Sequence, residues 1–161
     1  MNYLEFAIKM ELDGEKYYLD QAEKNQGNNL NTVFLMLAED ERMHADILKK
    51  KFDKSSYELT EKNTRIEYKN VFEGLGDFED EMKANPSQLD AYRMALDKEE
   101  ESIELYEKML KEAVDHEDKT LFEFLIEQEK MHYTIIEEII SHLSRAEEWV
   151  ESAEFGLRED Y

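Results

Sequence analysis

Residues 37–48 read "LAEDERMHADIL" and residues 125–136 read "LIEQEKMHYTII". The two stretches lie 88 positions apart. At that shift Leu37 falls on Leu125, Glu39 on Glu127, Glu41 on Glu129, Met43 on Met131, His44 on His132 and Ile47 on Ile135. The match extends outward without a gap, pairing Ala7 with Ala95, Glu11 with Glu99, Tyr18 with Tyr106, Thr32 with Thr120 and Phe34 with Phe122. Self-similarity at a fixed shift marks a chain built from two copies of one unit. Packing accounts for recurring Ala, Leu, Phe and Ile. Recurring Glu and His in the same register need another cause.

The unit reads as a helix hairpin. Residues 3–25 place Leu4, Ala7, Ile8, Met10, Tyr18, Leu19 and Ala22 on roughly one helical face, interrupted by Glu11. "NQGNNLN" (25–31) supplies breakers, and a second helix follows over about 30–52 with Val33, Phe34, Leu37, Met43, Ile47 and Leu48 inward. Pro86 and Ser87 open a third helix that runs to about Val114. A fourth extends from about Asp118 to about Leu143, carrying Leu121, Phe122, Leu125, Met131 and the Ile residues at 135, 136, 139 and 140.

Short turns inside each unit predict two antiparallel hairpins. The 53–86 segment joining them is long for a bare loop. It is long enough to travel back along a helix, so that helices two and three lie parallel. The expected fold is all-α: a four-helix bundle of two helix hairpins with one long crossover at about 53–86, occupying residues 1–145. The tail 146–161, with Trp149, Val150, Phe155 and Leu157 among acids, is expected to pack on the bundle or on a neighbouring subunit.

Composition narrows the chemistry. A chain of 161 residues supports one domain with a sizeable core. It has no Cys, which excludes disulfides, thiolate metal sites, iron–sulfur clusters and thiol nucleophiles. The 41 acidic residues against 20 basic ones give a net charge of -21, which repels nucleic acid and anionic membrane and attracts cations. The N-terminus lacks the basic flank and apolar core of a signal peptide, and no apolar run reaches membrane-span length, so a soluble cytoplasmic protein is expected.

Residues three apart share a helical face, so Glu41 with His44, and Glu129 with His132, each aim two side chains at one point. Leu37 and Leu48 flank the first pair, which therefore lies along the apolar face. Glu11 and Glu99 interrupt the apolar faces of helices one and three in the same way. Four ionised carboxylates buried together without partners would cost far more than a domain's net stability of about 5–15 kcal/mol. Two divalent cations would balance them, with neutral imidazoles completing the shells. One Glu from each of two helices plus Glu-x-x-His from each of the others is the set that di-iron and di-manganese carboxylate bundles use. Tyr18 and Tyr106 follow Glu11 and Glu99 by seven residues, two turns along the same face, where their hydroxyls can hold carboxylates in place. His116 and His142 lack a Glu three residues earlier, and Glu39 and Glu127 face away from their neighbouring Glu; all four read as peripheral.

With these residues in hand, the chain resembles the rubrerythrin branch of the ferritin-like superfamily over about residues 1–145. "MELDGEKYY" (10–18) and "KEEESIELY" (98–106) resemble its first and third helix motifs, and the two quoted stretches its second and fourth. The resemblance implies a ferritin-like fold, Glu11 and Glu99 as terminal ligands, Glu41 and Glu129 as bridging ligands, and one metal each for His44 and His132. It implies two iron ions, with manganese as the alternative, and a non-haem di-iron oxidoreductase that reduces hydrogen peroxide or dioxygen. Typical members carry a four-Cys rubredoxin domain; here electrons would come from a separate donor such as a rubredoxin. A homodimer is usual in the family. Such members also carry a further Glu one turn after the terminal ligand of the third helix, where this sequence has Ser102, with Gly14 as its repeat mate. A ferroxidase, an iron-binding or storage module, and a di-manganese catalase-like enzyme stand beside the peroxidase reading.

Overall fold

The computed structural model describes the backbone of residues 2–60, 67–70 and 87–159, and the side chains of 2–60, 67–70 and 88–144. Within them the chain is all-α, a ferritin-like bundle of four long helices: α1 (Tyr3–Lys24), α2 (Leu30–Phe52), α3 (Ser87–Glu112) and α4 (His116–Glu159). No described helix is long and apolar enough to cross a membrane.

Local chemistry sets the ends. Asn2 caps α1, its side-chain oxygen accepting from the Glu5 backbone N–H at 2.8 Å. In the turn to α2, Gly27 adopts a φ of 93°, and Asn31 donates to the Ala22 carbonyl at 2.7 Å, tying the two helices together. α2 ends in a Schellman closure: Ser55 N–H reaches the Lys50 carbonyl at 2.8 Å and Lys54 N–H the Lys51 carbonyl at 3.1 Å, with Lys54 at a φ of 58°. Lys49, Lys50 and Lys51 face the negative end of that helix dipole.

Cross-helix hydrogen bonds fix the topology. Asn25 meets Tyr92, Tyr18 meets Glu99 and Tyr106 meets Glu11, so α3 runs antiparallel to α1. α1 and α2 form an antiparallel hairpin, which makes α2 parallel to α3, as the long crossover demands. Of that crossover, residues 67–70 form one helical turn whose Tyr68 is buried and donates to Glu138 of α4 at 2.7 Å. Residues 61–66 and 71–86 lie outside the described residues.

The apolar core comes in two plugs. One is built from Tyr18, Val33, Phe34, Leu37, Ile135 and Ile136 with their neighbours. The other comprises Tyr106, Leu121, Phe122, Leu125, Ile47 and Leu48 with theirs. The shift of 88 maps one onto the other, since Val33 pairs with Leu121 and Leu48 with Ile136. Between the plugs lies a layer of buried polar side chains.

Three expectations need correction. Leu19, expected inward, is 46% exposed, because Tyr18 takes the core position and the next residue points about 100° round the helix. α3 stops at Glu112, leaving Val114 exposed in the turn. α4 starts at His116 and continues to Glu159 instead of ending near Leu143. Residues 144–155 contain no Pro or Gly and are rich in Ala and Glu, so nothing breaks the helix there. What the tail 146–161 packs against lies outside the described side chains.

Candidate metal centre

The polar layer contains all six candidate ligands of the sequence reading. Glu11 comes from α1, Glu41 and His44 from α2, Glu99 from α3, and Glu129 and His132 from α4. Each is between 0% and 4% exposed. Their donor atoms fall into two groups, each closing to within 4.8 Å: Glu11, Glu41, His44 and Glu129, and Glu41, Glu99, Glu129 and His132. Glu41 and Glu129 belong to both. Six residues thus make two four-residue nests that share a pair of carboxylates.

Both imidazoles turn Nδ1 toward the carboxylates. His44 Nδ1 lies 3.1 Å from Glu129 Oε1 and 3.3 Å from Glu11 Oε2, and His132 Nδ1 lies 3.0 Å from Glu41 Oε1. The rings stack with centroids 5.8 Å apart. Tyr18 O–H donates to Glu99 Oε1 and Tyr106 O–H to Glu11 Oε1, each at 2.5 Å. Each phenol therefore orients the outer carboxylate of the opposite hairpin. Gly14 belongs to the same construction: a Cβ there would stand 3.1 Å from Glu41 Oε2, so the absence of a side chain lets that carboxylate sit against α1.

Electrostatics divide the carboxyls into two kinds. Burial pushes Glu41 and Glu129 well above the usual carboxylate range, and the neighbouring Glu11 and Glu99 charges push them further. Burial acts on Glu11 in the same direction, but His44 and the protons of Glu41 and Glu129 outweigh it and hold that carboxyl down to about 2. Glu99 is likewise lowered against burial, by Glu129, His132 and Tyr18. Burial disfavours the charged form of His132, yet Asp40 and Glu99 raise it well above the usual imidazole range. Both phenols are raised by burial and by the carboxylates, so they keep their protons as donors. Without cations, burial and the outer carboxylates favour the protonated form of the two shared carboxyls.

A cation fits better than those protons. Glu99 Oε2 and Glu129 Oε2 are buried with no hydrogen-bond partner among the described residues, an arrangement that costs about 1–3 kcal/mol per group, more when charged. Both atoms belong to residues of the donor groups. Four carboxylates and two imidazole nitrogens, with no sulfur, suit two hard or borderline divalent ions.

The rubrerythrin family model matches residues 2–140, which spans the first three helices and α4 through the cluster. The chain belongs to the rubrerythrin family. Compared with curated proteins and with solved structures, it returns no match. The sequence departure from typical rubrerythrins is visible in this member's structure. Ser102 is buried, but its Oγ donates to the Lys98 carbonyl at 3.0 Å and contacts Met10 Sδ at 3.3 Å, adding no donor to the cluster.

Two buried side chains of this rubrerythrin escaped sequence reasoning. Asp40 Oδ2 lies 3.0 Å from His132 Nε2, and Gln128 Oε1 lies 3.4 Å from His44 Nε2. They are mates under the same shift, but a comparison that scores identity passes over Asp against Gln. Spacing within one helix gave no signal for them, since each reaches the histidine of the other helix. His116 is exposed and His142 half-buried, and neither joins a donor group. Glu39 and Glu127 are exposed, as their spacing implied.

Proposed function

We propose that the chain is a non-haem di-iron oxidoreductase that reduces hydrogen peroxide or dioxygen at this cluster, with electrons from a separate donor of the rubredoxin type. The observation that supports it most is the sharing of Glu41 and Glu129 between two four-residue donor groups. Iron ions held there would supply one-electron redox steps to a small oxygen substrate. Each hydrogen peroxide reduced to two waters takes up two electrons and two protons.

The protein's own residues have separable tasks. Glu11 with His44 would hold one ion and Glu99 with His132 the other, while Glu41 and Glu129 would serve both. Tyr106 and Tyr18 keep the outer carboxylates in one orientation by donating to one oxygen of each, leaving the second oxygen for the ion. The two apolar plugs exclude bulk water, which strengthens every charge interaction in the layer between them. Burial favours the protonated form of Glu41 and Glu129 when no cation is bound, and loading would displace those protons.

A second reading, a ferroxidase or iron-binding module without peroxidase turnover, is favoured by Ser102, which leaves the cluster with six donor residues and no seventh carboxylate among the described residues. Oxygen and nitrogen donors accept manganese as well as iron. Metal analysis of protein produced with both metals available tests the site, with about two ions per chain expected and far fewer overturning it. Peroxide is then added to reduced protein with a rubredoxin and its reductant. Consumption of many equivalents supports the peroxidase reading. Consumption that stops at the stoichiometry of bound metal favours the ferroxidase or storage reading, and peroxide loss without reductant favours a catalase.

A further inference from the structure

The outward nitrogens of the two histidines meet different chemistry. His132 Nε2 donates to the Asp40 carboxylate at 3.0 Å, whereas His44 Nε2 faces the Gln128 amide oxygen at 3.4 Å. Asp40 is 1% exposed and Gln128 7%. Each sits one residue before a shared Glu and reaches across to the histidine of the other helix. The cluster residues and the phenols bonded to them are duplicated at the 88-residue shift: both histidines, all four Glu and both Tyr. Behind the imidazoles the duplication breaks.

A hydrogen bond to a buried carboxylate is charge-assisted and roughly twice as strong as one to a neutral amide. It draws the Nε2 proton outward and makes Nδ1 of the same ring a more basic donor. In a dry layer the carboxylate charge is also felt across the ring.

We propose that Asp40 and Gln128 make the two metal positions unequal, so that a divalent ion occupies the position of Glu99 and His132 before that of Glu11 and His44. Asp40 and Gln128 are positioning residues, acting through the imidazoles they hold. The inference rests on the two-metal reading of the cluster. The His44 position is then the one that loads last and empties first.

Repulsion between two dications separates any two binding steps, but it is the same for either order of loading and cancels when the two positions are compared at one ion per chain. The test uses Co2+, whose paramagnetism shifts the ring N–H proton of a coordinated imidazole far from the protein envelope in NMR. The wild type is expected to take up two ions, and at one equivalent to show the His132 ring N–H signal at least about tenfold above that of His44. The isosteric change Asp40→Asn should bring the two signals toward parity, as should Gln128→Glu from the opposite side. The double change should reverse their order. Wild-type protein that binds fewer than two ions overturns the two-metal reading and this inference with it. Two ions bound, with a preference that neither single change shifts, overturns only the inference. Should Asp40→Asn fail to fold, Gln128→Glu decides alone, since it adds a carboxylate and keeps an oxygen facing His44 Nε2.

Discussion

The hairpins α1–α2 and α3–α4 are two solutions to the same problem, and their differences follow a radial order. At the centre the pairs Glu11 and Glu99, Glu41 and Glu129, and His44 and His132 are identical. Around them Tyr18 and Tyr106 make equivalent bonds of 2.5 Å to the outer carboxylates. Beyond that the copies part: Asp40 against Gln128, Gly14 against Ser102, Tyr17 against Leu105. At the periphery α2 closes at Phe52 while α4 continues to Glu159. The six cluster residues and the two phenols that hold them are duplicated, and the copies diverge among the residues packed around them. A constraint that acts at the centre and relaxes outward matches a shared ligand set better than a shared packing problem, because the apolar plugs vary more freely than the polar layer they enclose.

The strongest way to break the equivalence is to remove carboxylates of the two kinds. Glu129 belongs to both donor groups and Glu99 to one. Glu129→Ala should therefore lower metal content from about two ions per chain to near zero, and Glu99→Ala to about one. Metal analysis alongside circular dichroism, to verify folding, checks both. Equal losses from the two changes would remove the distinction between shared and outer carboxylates.

The next effect separates the same two kinds by pH. Glu41 and Glu129 are raised in the folded, metal-free protein, so the native state holds more protons than the unfolded chain once pH exceeds the ordinary value of 4.5. Their contribution to stability is full below that value and is lost as pH rises through the folded values. Glu11 and Glu99 are lowered, so their contribution is present above 4.5 and is lost as pH falls, for Glu11 toward about 2. The melting temperature of metal-free protein should fall as pH rises from 4.5, and Glu41→Gln with Glu129→Gln, which mimics the protonated pair, should flatten that fall. Each 1 kcal/mol corresponds to about 2–4 °C in a domain of this size. Metal loading should release protons, from Glu41, Glu129 and His132, and metal should bind more weakly as pH falls. Proton release near zero would contradict the protonated metal-free site.

A smaller effect tests whether the two phenols are true twins. Tyr18→Phe and Tyr106→Phe each remove one donor from a buried carboxylate, at about 1–3 kcal/mol. Denaturant melts of metal-free protein should give losses equal to within about 0.5 kcal/mol. A larger difference would mean that surroundings outside the duplicated shell, such as the Tyr17 ring 5.4 Å from that of Tyr18, enter the bond.

The radial order also explains what the sequence made legible. Glu11, Glu41, His44 and their mates stood out because duplication doubled each signal and because charge on an apolar face needs a cause. The parallel course of α2 and α3 followed from the length of 53–86 alone. Asp40 and Gln128 were not legible because their role is to face a histidine on another helix, which spacing within one helix does not reveal, and because the copies differ chemically. Leu19 was misplaced because an apolar pattern cannot say which of two adjacent large side chains, Tyr18 or Leu19, turns inward; the Glu99 carboxylate decides it by accepting from the Tyr18 hydroxyl. The length of α4 was missed because a helix ends where something ends it, and residues 144–155 offer no breaker.

The smallest effect lies at that periphery. Lys54 closes α2 in the left-handed region, at a φ of 58°, while its mate His142 lies inside α4. An L-residue in that conformation is disfavoured by about 1–2 kcal/mol, part of which glycine avoids and part of which it returns as backbone entropy. Lys54→Gly should therefore stabilise the protein by about 1 kcal/mol, a rise of about 2–4 °C in melting temperature. At His142 the same substitution has no left-handed residue to relieve, adds backbone freedom to a helix interior and removes a half-buried side chain, so it should destabilise by at least about 0.5 kcal/mol. One change, two mates and opposite signs: if both substitutions lowered the melting temperature, the left-handed closure of α2 would not hold in solution, and the copies would end alike after all.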